Sequence, residues 1–114
     1  NCINIYFNLY FNLNRKRLYK KLLEQNYNTE YKPEKYSGVK LYYKVNTNTN
    51  TNNSILGHCK CDSKCTCLNI TIIIFQSGNV ISIGFKSIES INIILDSFKI
   101  LVNSIKDNII KKIL

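Results

Sequence analysis

Hydrophobic and polar residues alternate with a period of two from Cys2 to Leu13. Ile3, Ile5, Phe7, Leu9, Phe11 and Leu13 share one face, and Asn4, Tyr6, Asn8, Tyr10 and Asn12 share the other. A strand with one face buried has this pattern, because successive side chains point to opposite sides of a sheet. The period then changes. Asn14 is placed to cap a helix over about Arg15 to Gln25, with Leu18, Tyr19, Leu22 and Leu23 as its apolar stripe and Arg15, Lys16, Arg17, Lys20 and Lys21 facing water. A polar stretch around Asn26 to Thr29 follows, Pro33 and Gly38 punctuate a turn, and the Tyr-rich segment Val39 to Val45 reads as a second strand.

From Asn46 to Asn53 the chain alternates Asn and Thr, with nothing to bury, and is expected to be a disordered loop. Leu68 to Gln76 is dense in β-branched residues, Ser77 and Gly78 form a tight turn, and Asn79 to Phe85 is the partner strand of a hairpin. Ser87 is placed to cap a long helix carrying Ile88, Ile91, Leu95, Phe98, Val102, Ile105, Ile109 and Ile113 at helical spacing. The resulting order, β-α-β-β-β-α, predicts an α+β layer with both helices on one face of an antiparallel sheet and the other face free for a ligand.

With 114 residues, the chain holds one domain. No apolar run approaches the roughly 20 residues that a membrane-spanning helix needs, and the Asn-interrupted start does not read as a secretory signal. The absence of an initiator Met leads to the expectation that residues precede Asn1. A net charge of +9 makes a polyanion the expected partner, since Lys and Arg on phosphates release condensed counterions. The richness in Asn, Ile, Lys and Tyr is that of an AT-rich genome, such as those of large DNA viruses and some protists, and the expectation leans to the former.

Two segments in order resemble the TATA-binding-protein family. Tyr31-Lys32-Pro33-Glu34-Lys35-Tyr36-Ser37-Gly38-Val39 is similar to the family's Y-x-P-E-x-F-P-G-L, which enters the second strand. Ile72 to Ser87, reading I-I-I-F-Q-S-G-N-V-I-S-I-G-F-K-S, is similar to its hairpin L-L-I-F-x-S-G-K-x-V-x-T-G-A-K. The resemblance implies one repeat over residues 1–114, similar to the family's C-terminal half: a curved antiparallel β-sheet with two helices on the convex face. It also implies transcription initiation by binding and bending AT-rich DNA in the minor groove. Tyr36 and Phe75 then match the aromatic residues that wedge between base steps, Thr71, Ile73, Ile81 and Ile83 match the groove floor, Asn4 matches the base-reading Asn, and Lys86 is a backbone contact. The chain departs from the family in Tyr36 for Phe, Ser37 for Pro, Phe85 for a small residue, and Tyr42 and Tyr43 where the family carries a basic residue.

The family has two repeats in one chain, so a second repeat, in cis or by dimerisation, is an expected partner, together with double-stranded DNA and other transcription factors or RNA polymerase. The alternative reading is a protein-interaction scaffold in a viral transcription complex that has lost its own DNA binding. The expected location is the nucleus or a viral factory in the cytoplasm, with packaging in the virion a further option.

The insertion at about 46–67 is not explained by the resemblance. His58, Cys59, Cys61, Cys65 and Cys67 form H-C-x-C-x3-C-x-C, a donor set suited to zinc. Disulfides and free thiols are competing readings of the same spacing, and Cys2 reads as a lone structural thiol. A single His, seven scattered carboxylates and the lack of a phosphate-binding glycine loop or a hydrolase motif argue against an enzyme.

Overall fold

The computed structural model describes residues 3–45, 68–85 and 88–111. Its elements are β1 (Ile3–Asn8), α1 (Arg15–Glu24), β2 (Asn28–Glu30), β3 (Val39–Val45), β4 (Leu68–Ile74), β5 (Asn79–Phe85) and α2 (Ile88–Ile109). The strands form one antiparallel sheet in the order β1-β5-β4-β3-β2.

One face of the sheet builds the core. Val39, Leu41 and Tyr43 of β3, Ile70, Ile72 and Ile74 of β4, and Val80 and Phe85 of β5 are buried together with Leu18 and Leu22 of α1 and Ile94, Phe98, Val102, Ile105 and Ile109 of α2. Both helices therefore lie on the same side, as the alternation of the strands requires once every second residue is apolar. Phe98, at the centre of α2, is fully buried and meets the Phe7 ring edge-on at 6.2 Å. Tyr43 is also buried, with its hydroxyl against the Ser97 hydroxyl, and burial pushes its pKa up to about 12.

Several expected boundaries are corrected by local chemistry. β1 ends at Asn8 rather than continuing to Leu13, because the Asn8 side chain accepts the Tyr10 N–H and Tyr10 turns into the left-handed region at φ 66°. The apolar period survives the turn, since Leu9 and Phe11 still pack on the core and Leu13, buried, bridges to Ile110. The polar stretch after α1 contains a short strand, β2. There the Thr29 hydroxyl donates to the Lys40 carbonyl at 2.7 Å and the Tyr42 hydroxyl donates to the Glu30 carboxylate at 3.0 Å, so pairing with β3 overrides weak local propensity.

Asn14 caps α1 as expected, its side chain accepting the Arg17 N–H at 3.1 Å. Leu23 turns out of the stripe and is exposed. On α2, Ile88 is exposed, and Ile94 and Leu101 are buried in addition to the expected positions. The 46–67 insertion with its five candidate metal ligands, Cys2, Lys86, the Ser87 cap and Ile113 lie outside the described residues. Among the described residues, no helix is long and apolar enough to cross a membrane.

Candidate nucleic-acid interface

The face of the sheet opposite the helices carries the alternate residues of each strand, and the pairing register sets them in rows. Tyr6 of β1 stands opposite Ile81 of β5, Ile81 opposite Ile73 of β4, and Ile73 opposite Lys40 of β3. In the next row, Asn4, Ile83, Thr71 and Tyr42 follow one another in the same way. Side chains directly opposite in an antiparallel pair share a face and touch. Asn4, Thr71, Ile73, Ile81 and Ile83, the residues expected to meet DNA, are thus neighbours on one surface. Asn4 is exposed there, whereas the adjacent Ile5 points to the core side.

Tyr36 and Phe75 come from segments far apart in the chain and meet at one end of this face, with ring centroids 5.9 Å apart and planes tilted by 55°. Gly38 makes the meeting possible. A Cβ at that position would lie 2.5 Å from Ile73 Cγ2 and 3.1 Å from carbons of both rings. This crowding also explains why Ile73 is only 7% exposed, while Ile83 is 36% exposed. A ligand approaching the face meets Ile81, Ile83 and the two rings before it meets Ile73.

The loop bearing Tyr36 is held from two sides. Its backbone closes a turn, with the Lys35 and Tyr36 N–H groups both donating to the Lys32 carbonyl at 2.9 Å. Arg15, expected to face water, instead donates to the Ser37 carbonyl at 2.7 Å and lies over the Tyr31 ring at 5.6 Å. The Lys40 ammonium stands 4.9 Å from the Tyr36 ring centroid, a cation–π contact that leaves its charge at the surface.

Sequence reasoning passed over Lys40 as a site residue, although its parity with Tyr42 and Lys44 on β3 was a usable signal. The departure at Tyr42 and Tyr43 separates into two roles: Tyr42 lies on the open face and Tyr43 in the core.

At the β2 edge, Glu30 sits 3.1 Å from the Lys32 ammonium. The hydrogen bond from Lys32, then that from Tyr42, holds its carboxyl below the usual range. Burial and the Glu30 contact push the Tyr42 hydroxyl up. This edge is short and closed by charge, a common protection against unwanted pairing. The β1 edge at the other side is longer, six residues, and pairs only with β5 among the described residues. Lys99 and Lys106 of α2 reach toward it, 5.6 Å and 4.9 Å from the Phe7 and Phe11 ring centroids. Among the described residues, no group of three or more His, Cys, Asp or Glu side chains could hold a metal ion.

An antiparallel sheet covered, among the described residues, by helices on one face only, with an apolar, aromatic-tipped and lysine-flanked surface on the other, defines an α+β protein with one open sheet face. The family model described as "Transcription factor TFIID (or TATA-binding protein, TBP)" matches residues 2–105, and the chain belongs to that family. No curated protein and no solved structure matches the chain significantly. The family is one of transcription factors, with DNA and other transcription factors as its general partners.

Proposed function

We propose that the open face binds AT-rich duplex DNA in the minor groove and bends it to initiate transcription. The observation that carries this reading is the convergence of Tyr36 and Phe75 at one end of an apolar sheet face. Apolar wedges at a sheet end can enter a base step, and the cost of unstacking is offset by the wider contact that bent DNA offers. The net charge of +9 supplies the sequence-independent part of the binding.

Among the described residues the β1 edge is open, so a second repeat, in cis or as a second copy, is the proposed partner along β1. Fluorescence anisotropy on AT-rich and GC-rich duplexes over a salt series tests the reading. The expected result is tighter binding to the AT-rich duplex and a log–log salt slope of about −0.9 per phosphate contacted. Equal affinity for both sequences removes minor-groove reading, and no binding at low salt removes DNA as the ligand.

A second reading, an interaction scaffold within a transcription complex, has its own support on the helix side. Ile93 and Ile100 of α2 are 65% and 70% exposed and line a shallow concavity of about 450 Å³ with Tyr27 and Tyr43. Apolar side chains grouped in this way suit a protein partner, and the two faces can serve one factor at once.

For the insertion we propose zinc held among His58, Cys59, Cys61, Cys65 and Cys67, on the strength of the donor set alone. Metal analysis of protein prepared under reducing conditions is expected to find zinc bound, and its replacement of all five donors by Ser and Ala is expected to abolish it; a metal-free parent protein ends the proposal. The nucleus or a viral factory remains the proposed location.

A further inference from the structure

The first turn of α1 is filled by Arg15, Lys16 and Arg17 and holds no acidic residue, although the positive end of a helix dipole disfavours cations. Lys16 and Arg17 are exposed, whereas Arg15 is partly buried. Its guanidinium lies over the Tyr31 ring at 5.6 Å while Nη1 donates to the Ser37 carbonyl at 2.7 Å. A planar guanidinium can stack and donate at once, which the compact ammonium of a lysine does less well.

Tyr31 and Ser37 are the two ends of the loop that carries Tyr36. The first end is anchored, because the Tyr31 ring packs on the core and stands 6.2 Å from the Tyr19 ring of α1. From there Arg15 reaches across to the second. The Ser37 carbonyl belongs to the planar peptide that joins Ser37 to Gly38, so fixing that oxygen fixes the backbone just after Tyr36. On the other side the Tyr36 N–H is held by the Lys32 carbonyl at 2.9 Å. Both flanks of Tyr36 are thereby set, with its ring 5.9 Å from that of Phe75. Ser37 also stands where the similar family pattern has Pro. A proline fixes its own φ and confines the residue before it to extended backbone, and a serine does neither.

We propose that Arg15 is a positioning residue for DNA bending, acting from the helix side of the sheet: its bond to Ser37 supplies the constraint that serine lacks and keeps the Tyr36 ring against Phe75 before DNA arrives. The inference rests on the DNA-binding reading and adds to it a residue that acts through Tyr36. A ring pair already in place meets a base step without the ordering cost that binding otherwise carries.

The test uses the whole chain and the charge-matched variants Arg15→Met and Lys16→Met. In the free protein, exchange of the Lys35 and Tyr36 amides is expected to quicken about tenfold in Arg15→Met, the scale of one hydrogen bond to a charged group, and to keep the parent rate in Lys16→Met. On a TA-containing duplex, Arg15→Met is expected to bind about fivefold more weakly and to bend the DNA less, with the salt slope of the parent. Adding Ser37→Pro to Arg15→Met is expected to restore the bend. In a Tyr36→Ala background, Arg15→Met is expected to cause no further loss, since two changes that act through one residue are not additive.

A salt slope lower by about one with the bend unchanged would make Arg15 a phosphate contact and overturn the assignment. Amide exchange at Lys35 and Tyr36 that ignores Arg15→Met overturns it as well, and so does equal quickening at Ile72 and Ile74 of β4, which would mean a general loss of the fold. A parent that binds no duplex overturns the DNA-binding reading itself and this inference with it; the exchange rates, read without DNA, tell that failure from the others.

Discussion

Replacing Phe75 by Ala is expected to weaken binding to a TA-containing duplex by roughly tenfold or more, the scale of one lost aromatic–base contact, and to reduce the bend in the same complex. The ring lies at the end of β4, just before the Ser77–Gly78 turn, and its only ring partner among the described contacts is Tyr36 at 5.9 Å. It is partly exposed, so truncation opens no large cavity in the core. The effect is predicted to be largest at flexible pyrimidine–purine steps, where unstacking costs least and the wedge gains most. Lys44→Gln, an exposed change on β3, should instead weaken all duplexes alike and reduce the salt slope by about one. The pair of variants separates shape from charge. If Phe75→Ala binds and bends like the parent, the ring is a packing residue and the scaffold reading gains.

The second large effect concerns stability. Phe98→Ala is expected to cost about 3–5 kcal/mol, since the ring is fully buried at the middle of α2 and its removal leaves a cavity among Phe7 and the sheet residues. Against a total of about 5–15 kcal/mol for a small domain, that is enough to bring the chain near its unfolding threshold. Thermal unfolding followed by circular dichroism should show Tm falling by more than roughly 10 °C. Ile100→Ala, two residues away and 70% exposed, should change stability by less than about 0.5 kcal/mol. Equal losses in the two variants would contradict the placement of α2 on the sheet.

Most of this architecture was legible because the chain keeps to simple periods. Alternation in Ile3 to Phe7 assigned the two faces of β1 before any pairing was known, and the β-branched run from Leu68 with the Ser77–Gly78 turn marked the β4–β5 hairpin, whereas the faces of β3, β4 and β5 came from the family resemblance and the pairing register. Periodicity also placed Phe98, Val102, Ile105 and Ile109 inside. What it could not supply were features created by contact between distant segments. β2 exists through the Thr29 and Tyr42 hydrogen bonds to and from its neighbours. The end of β1 at Asn8 depends on one side chain bonding to the backbone two residues on. Ser82, in the hairpin, carried no sequence signal of its place: its hydroxyl is buried on the core side without a hydrogen-bond partner among the described residues.

For the site, the family motifs named Tyr36 and Phe75 separately, and only the folded chain brings the rings together over Gly38. Arg15 read as one more basic residue of a solvated helix face, yet it fastens the loop that carries Tyr36. The amide pair of Asn8 and Asn79, separated by 71 positions, has no local signature at all.

Bending of AT-rich DNA by the open face can be read from the end-to-end distance of a short duplex, measured by energy transfer between dyes at its two ends as the protein is added. The ends of a TA-containing duplex are expected to approach one another on saturation, and a GC-rich duplex of equal length, bound at lower salt, to stay closer to straight. Saturable binding that leaves the TA-containing duplex as straight as the free DNA would rule out bending by this face.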